Sequence, residues 1–165
     1  MLLGGYVRLL QIVLLVQLVS TISNGQDYSS LIGETQDCFA GKIIHPAQVD
    51  IYVLDPLKSP EVAAILNDME KQLPSGNGQN VVAFFASYQR LTSAIPKTNI
   101  LMHGQSSQNG SFSFHNLKAG KKVILLGIAE REDEPAYYAY MRLKLKSGKN
   151  AVTLDFDRGA TCKLP

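Results

Sequence analysis

Tryptophan is absent from this 165-residue sequence, and cysteine and histidine are scarce, at two and three residues. There is no Cys-x-x-Cys pair and no His-rich cluster, so the usual spacings of a zinc site are excluded. No serine, threonine or cysteine sits in a nucleophile elbow, and the glycine pairs match no phosphate-cradling loop. The acidic pairs, Asp155 with Asp157 and the run Glu132-Asp133-Glu134, read as solvated strand or loop positions rather than a glycosidase dyad. No catalytic residue, metal site or cofactor is therefore expected. Net charge is small as well, +2 for the whole sequence. With Arg8 removed, 15 basic residues face 14 acidic ones, which argues against a nucleic-acid partner or any general polyanion role.

Long apolar runs are also missing. Leu9–Val19 is apolar over 11 residues, broken by Gln11 and Gln17, and falls short of the ~20 residues of a membrane span. It follows the positive Arg8 and precedes the small, polar Ser20–Gly25. That order is a secretory signal, with Ser23 and Gly25 suited to the peptidase and cleavage near Gly25–Gln26. An uncleaved anchor is the alternative. The expected location is secreted or periplasmic, with no stable membrane span after cleavage.

Residues 1–25 are thus read as signal peptide and 26–37, polar and without period, as a flexible leader. A single domain is expected over 38–162. Cys38 and Cys162 lie near its two ends, and an even pair in an oxidising compartment predicts a disulfide. Closing so long a loop would stabilise by ~4 kcal/mol in the chain-entropy model.

Within the domain, Gly41–Ile44 and Gln48–Asp55 read as strands, the first turning at His45-Pro46 and the second stopping at Asp55-Pro56. The period then changes. Ser59-Pro60-Glu61 is a helix start, with a capping hydroxyl and proline at the first position. Val62, Ile65, Leu66, Met69 and Leu73 follow at helical spacing. Asn80–Leu91 places Val81, Phe84, Phe85, Tyr88 and Leu91 on one helical face, a reading preferred over a strand. Strands resume after Thr98. Asn109-Gly110 is a turn before Phe112 and Phe114, and Val123–Ala129 is apolar throughout, as in a strand covered on both sides. Arg131–Pro135 reads as a charged loop. Finally, Tyr137–Lys146 and Asn150–Phe156 are expected to form a hairpin about Gly148-Lys149. That register sets Met141 against Phe156, Leu143 against Leu154 and Leu145 against Val152.

Gly41-Lys-Ile, Pro46–Leu54, Asn109–Gly120 and Val123-Ile-Leu-Leu together resemble the carboxypeptidase regulatory-like domain, also called transthyretin-like or prealbumin-like. The resemblance covers about Cys38 to Phe156. It departs from the family pattern in the insertion over 59–95, a short linker between the first two strands, and Lys121-Lys122 where an aromatic is usual. The resemblance implies an antiparallel transthyretin-like β-sandwich; with the helical spacing read above, the expected fold is mainly β, that sandwich carrying a two-helix insertion at about 59–95. The resemblance also implies a non-enzymatic extracellular module.

Two surfaces have binding chemistry. Tyr138, Tyr140, Arg142 and Lys144, with Lys146, alternate along what is expected to be an exposed strand face, where tyrosines and cations suit sugar rings or an acidic partner. In the expected hairpin Arg142 opposes Asp155 and Tyr140 opposes Asp157, absorbing part of that charge. His103 and His115 would be diagonal neighbours on an outer face, without a third ligand. Asn109-Gly110-Ser111 is a formal glycosylation sequon. The sequence therefore points to a secreted non-enzymatic β-sandwich with a binding or structural role, its partner an extracellular protein or glycan. The alternatives are a glycan-binding module through the Tyr/basic face, or a secreted hydrolase whose site lies between helices and sandwich.

Overall fold

A computed structural model describes residues 27–39, 42–72, 79–131 and 134–156. Its centre is a strand within the segment read above as a leader. β1 (Tyr28–Phe39) carries Ser29, Leu31 and Thr35 inward, all buried. Gly33 sits between them, against Phe112 and Val152. The inward set is thus two small polar residues, one leucine and one glycine, so β1 has strand alternation without the apolar alternation that would announce it. The buried Thr35 hydroxyl is satisfied at the carbonyls of Pro46 (2.6 Å) and Gly110 (3.2 Å).

β1 organises the first sheet. β5 (Ser111–Lys118) pairs with it antiparallel, and β8 (Gly148–Asp155) pairs with its other edge in parallel, Ser29–Gln36 alongside Gly148–Asp155. The short β2 (Lys42–Ile44) pairs antiparallel with the end of β1. The second sheet has the order β4 (Ile100–Gln105), β3 (Asp50–Leu54), β6 (Lys122–Arg131), β7 (Glu134–Lys144), antiparallel throughout. β6 and β7 run to Arg131 and Glu134, so the expected charged loop 131–135 is largely strand, and only residues 132–133 lie between them. β6 is internal, and its unbroken apolar run has the expected cause. Val123, Leu125 and Ala129 point into the sandwich, while Ile124, Leu126 and Ile128 point to its other side.

The expected terminal hairpin is not formed. β7 pairs with β6 and β8 pairs with β1, so the two strands belong to different sheets. Met141, Leu143 and Leu145 do share one core with Val152, Leu154 and Phe156, but across the sandwich rather than side by side. Matched alternation is satisfied equally by either arrangement, because both bury the same faces. β4 and β5 are likewise split between sheets, so His103 and His115 are not neighbours in one sheet. The fold is mainly β, a sandwich with a two-helix insertion; the β1–β8 pair is its one parallel contact among the described strands.

The insertion leaves from the end of β3 and returns to β4, which are themselves paired at Leu54 and Ile100. α1 (Pro60–Gln72) starts at the expected proline. Ser59, however, does not cap with its side chain: its hydroxyl is buried without a hydrogen-bond partner, and its carbonyl accepts from the Ala63 amide. α2 (Gln79–Ala94) is the expected helix. Tyr88 and Leu91 pack inward, while Leu73 and the side chains of Val81, Phe84 and Phe85 lie outside the described residues. A short 3-10 turn (Ile95–Lys97) closes the excursion. Val62, Ile65, Leu66 and Met69 are fully buried against Leu54, Ile124, Leu126, Ile128 and Tyr138. The molecule therefore has three layers: sheet, sheet and helices.

Candidate binding surface

β7 alternates Ala139, Met141 and Leu143 toward the sandwich core, and Tyr138, Tyr140, Arg142 and Lys144 toward the helical layer. The expected exposed aromatic face is therefore largely roofed. Tyr138 is 2% exposed and stacks with Tyr140 at 6.3 Å between ring centroids. The Tyr140 hydroxyl donates to the Leu66 carbonyl at 3.3 Å. Arg142 donates to Asn67 Oδ1 at 2.5 Å, lies 3.7 Å from Glu70 and stands 5.4 Å over the Tyr140 ring. Its cross-strand neighbour is Ile124, and that of Tyr140 is Leu126; Asp155 pairs instead with Gln36, so its expected opposition to Arg142 does not occur, and Asp157 lies outside the described residues. The helical insertion, invisible to a strand-pairing argument, converts the tyrosine face into its own floor.

Past Arg142 the roof ends. An open groove of about 380 Å³ runs over Val123, Ile124 and Leu143, between Pro56 and the cations Lys122, Arg142 and Lys144. No residue of α1 lines it. Lys122 and Lys144 are direct cross-strand partners, an arrangement of like charges that costs up to ~1 kcal/mol relative to a neutral pair. Around Lys144 the surface continues into a second open groove, of about 770 Å³, which adds Lys118 and Lys146. Among the described residues, Asp27 is the sole carboxylate lining the two grooves. Lys118, Lys122, Lys144 and Lys146 are exposed and form no ion pair with any described residue.

Strand direction explains this concentration. β1 and β8 begin, and β5 ends, at one end of the first sheet. β3 and β7 end, and β4 and β6 begin, at the same end of the second. The turns 118–122 and 144–149 meet there, tied by Gly120 N to Leu145 O (2.7 Å) and Leu145 N to Lys121 O (2.9 Å). At the far end lie Glu34, Asp37, Asp50 and Asp155. Lys42 and Arg131 also stand at that end, so among the described residues the near-zero net charge hides an uneven distribution, lysines at one end and mixed charge at the other. Two lysine-rich turns were visible in the sequence, but only the topology brings them together.

Asp55 secures this end. Its carboxylate is buried, pairs with Lys121 Nζ at 3.0 Å and accepts the Leu57 amide at 3.1 Å. The Lys121 hydrogen bond holds the carboxyl below the ordinary carboxylate range, against the opposing effect of burial. A carboxyl depressed in the folded state stabilises above its unfolded value, and that contribution is lost as pH falls through the folded value. Asp55→Asn is therefore expected to cost about 2 kcal/mol near neutrality. The difference from the parent should shrink below about pH 4, which urea unfolding across pH will measure.

The histidines are apart. His45 Nδ1 lies 2.8 Å from the Thr35 carbonyl, as suits a turn residue. His103 stacks on Tyr52 with centroids 4.4 Å apart, Nε2 being 3.3 Å from Asp50. His115 is exposed on β5. Among the described residues no group of three or more His, Cys, Asp or Glu is placed to hold a metal ion, and no helix is long and apolar enough to cross a membrane. Cys38, in β1, pairs in register with Ile43; Cys162 and the signal segment lie outside the described residues.

No known family profile and no curated protein matches the chain, so membership of the carboxypeptidase regulatory-like family is not shown. Solved structures with a similar arrangement include the minor pilin of Streptococcus agalactiae, at 12% identity and TM-score 0.46 over 85% of this chain. A second is a candidate carbohydrate-binding protein of Pseudomonas aeruginosa, at 8% identity and TM-score 0.46, covering 84% of this chain and 95% of that one. A third is the shaft pilin of Lactobacillus rhamnosus GG, at 7% identity and TM-score 0.41 over 78% of this chain. This chain spans 48% of each of the two pilin chains. At such identities and scores these likenesses carry nothing about function to this chain.

Proposed function

We propose that this chain is a secreted, non-enzymatic β-sandwich module that binds or supports a structure outside the cell through its lysine-rich end. The observation that carries this reading is the pair of open, cation-lined grooves joined at Lys144, set against an apolar seam where a cleft had been conceivable. The hydrolase alternative needs converging His, Asp or Glu between helices and sheet. The described part of that seam is Val62, Ile65, Leu66 and Met69 on Ile124, Leu126, Ile128 and Tyr138, which gives it no support. The glycan alternative through Tyr138 and Tyr140 is disfavoured by the burial of the first and the Leu66 contact of the second. Arg142 and Lys144 keep a place in the binding surface.

Export belongs to the same proposal. It is supported by the order of charge, apolar run and small residues before Gln26. The Cys38–Cys162 bridge accompanies it, supported by the finding that no cysteine among the described residues is free. Mass spectrometry of the protein recovered outside the cell is expected to find a terminus near Gln26 and no thiol open to alkylation under denaturing, non-reducing conditions. A retained Met1 terminus would overturn export, and two alkylated thiols would overturn the bridge.

A further inference from the structure

The lysine-rich end has a second property that the grooves do not explain. Among the described residues the exposed large hydrophobics are Tyr28 (59% exposed), Leu57 (90%) and Ile100 (37%). All three stand at this end. Tyr28 opens β1 opposite Lys118. Ile100 opens β4 opposite Leu54. Leu57 projects from the link between β3 and α1, which the Asp55–Lys121 pair fastens to the 118–122 turn. Single exposed apolar residues are ordinary on a protein surface. Their confinement to the one end that also carries Lys58, Lys118, Lys122, Lys144, Lys146 and Lys149 is not.

We infer that this end is a membrane-docking surface for a bilayer rich in anionic phospholipid, contacted from outside without insertion of a helix. Lysine ammonium groups on long stems meet lipid phosphates at the headgroup level while their methylenes lie along the apolar boundary. Leu57 would enter that boundary, where a leucine gains from leaving water. A soluble polyanion would use the lysines but gives a 90% exposed leucine nothing to contact. Single-stranded nucleic acid is disfavoured further because, among the described residues, no aromatic lines either groove for base stacking. Glu34, Asp37, Asp50 and Asp155 point away from the bilayer in this pose, so the uneven charge favours approach by the lysine-rich end. The inference rests on the proposed use of the lysine-rich end, but not on export, because its test needs only purified protein.

The test uses the chain from Gln26, which retains every described element. It is mixed with vesicles of phosphatidylcholine alone and with about 30% phosphatidylglycerol, in about 50 mM salt and again in about 300 mM. Cosedimentation is expected with the anionic vesicles only, and strongly reduced at the higher salt. At roughly fivefold in partition per lysine, Lys122→Gln with Lys144→Gln should weaken binding about 25-fold. The same double variant removes a like-charge cross-strand pair, so its melting temperature should match or exceed the parent's. That separates lost binding from lost folding. Leu57→Ser should also weaken binding, and Lys71→Gln, at the far end of α1, should not. Equal binding to neutral vesicles would overturn the inference, as would indifference to the double lysine substitution. Retention on heparin without vesicle binding would overturn the membrane and leave the proposed surface standing with a soluble polyanion. Failure on both would remove the lysine-rich end as a binding surface.

Discussion

Gly33→Ala is expected to destabilise the protein by about 3 kcal/mol, seen as a lower urea midpoint at unchanged slope. A Cβ built at Gly33 falls 2.5 Å from Phe112 Cζ, 2.6 Å from the Val152 carbonyl oxygen and 2.8 Å from Val152 Cγ2. A flexible side-chain tip can retreat, but the Val152 oxygen is backbone of β8, paired with β1 in parallel across Ser29–Gln36. The methyl must therefore push two hydrogen-bonded strands apart or twist β1 away from Phe112. Either route spreads strain over the centre of the first sheet, where Leu31 is fully buried between Phe114 and Asn150 in register. The result separates two architectures. Were residues 26–37 a leader, the substitution would be silent.

The sandwich, the two helices and the both-sides-covered β6 were legible because their signals are local. Pro60 at a helix start, apolar spacing at Val62–Met69, and seven apolar residues in Val123–Ala129 each name an element without reference to another. The pairing of strands is not local. Met141, Leu143 and Leu145 alternate in phase with Val152, Leu154 and Phe156 whether the strands adjoin or face one another across the ~10 Å typical of a sandwich core. Only the connection decides, and Leu145–Ser147 crosses between sheets instead of turning back within one. β1 was hidden by composition. Besides Leu31 its inward positions hold Ser29, Gly33 and Thr35, the last two set against Phe112, Val152 and Gly110, so a single leucine is the only hydrophobic mark they carry.

The cover over the tyrosine face is not legible in the sequence for related reasons. Tyr138 and Tyr140 alternate with inward residues, and a strand face without an apolar stripe is ordinarily solvent. Here the covering stripe is supplied by α1, some 70 residues earlier in the chain. Conversely, a net charge near zero suggested no electrostatic partner, because a sum over the chain discards position. Lys118–Lys122 and Lys144–Lys149 are distant in sequence and adjacent in space through the β6–β7 pairing at Lys122 and Lys144.

Leu66→Ala is the second large effect, an expected loss of about 3 kcal/mol by urea or thermal unfolding, whereas Leu57→Ala should stay within about 0.5 kcal/mol. Leu66 is fully buried in the seam and Leu57 is 90% exposed. The contact from Tyr140 goes to the Leu66 carbonyl, so alanine keeps that hydrogen bond and the cost measures packing alone. How the loss is distributed bears on function. Lifting the helices would bare Leu54, Ile124, Leu126, Ile128 and Tyr138. At roughly 2 kcal/mol for each, that approaches the whole stability of a domain of this size. The helices and the second sheet are therefore expected to open together, with amide exchange in α1 and β6 accelerated by the same factor of about 100 in Leu66→Ala. Acceleration confined to α1 would reveal a separately opening roof, and would give the tyrosine face a route to a glycan that the closed fold denies it.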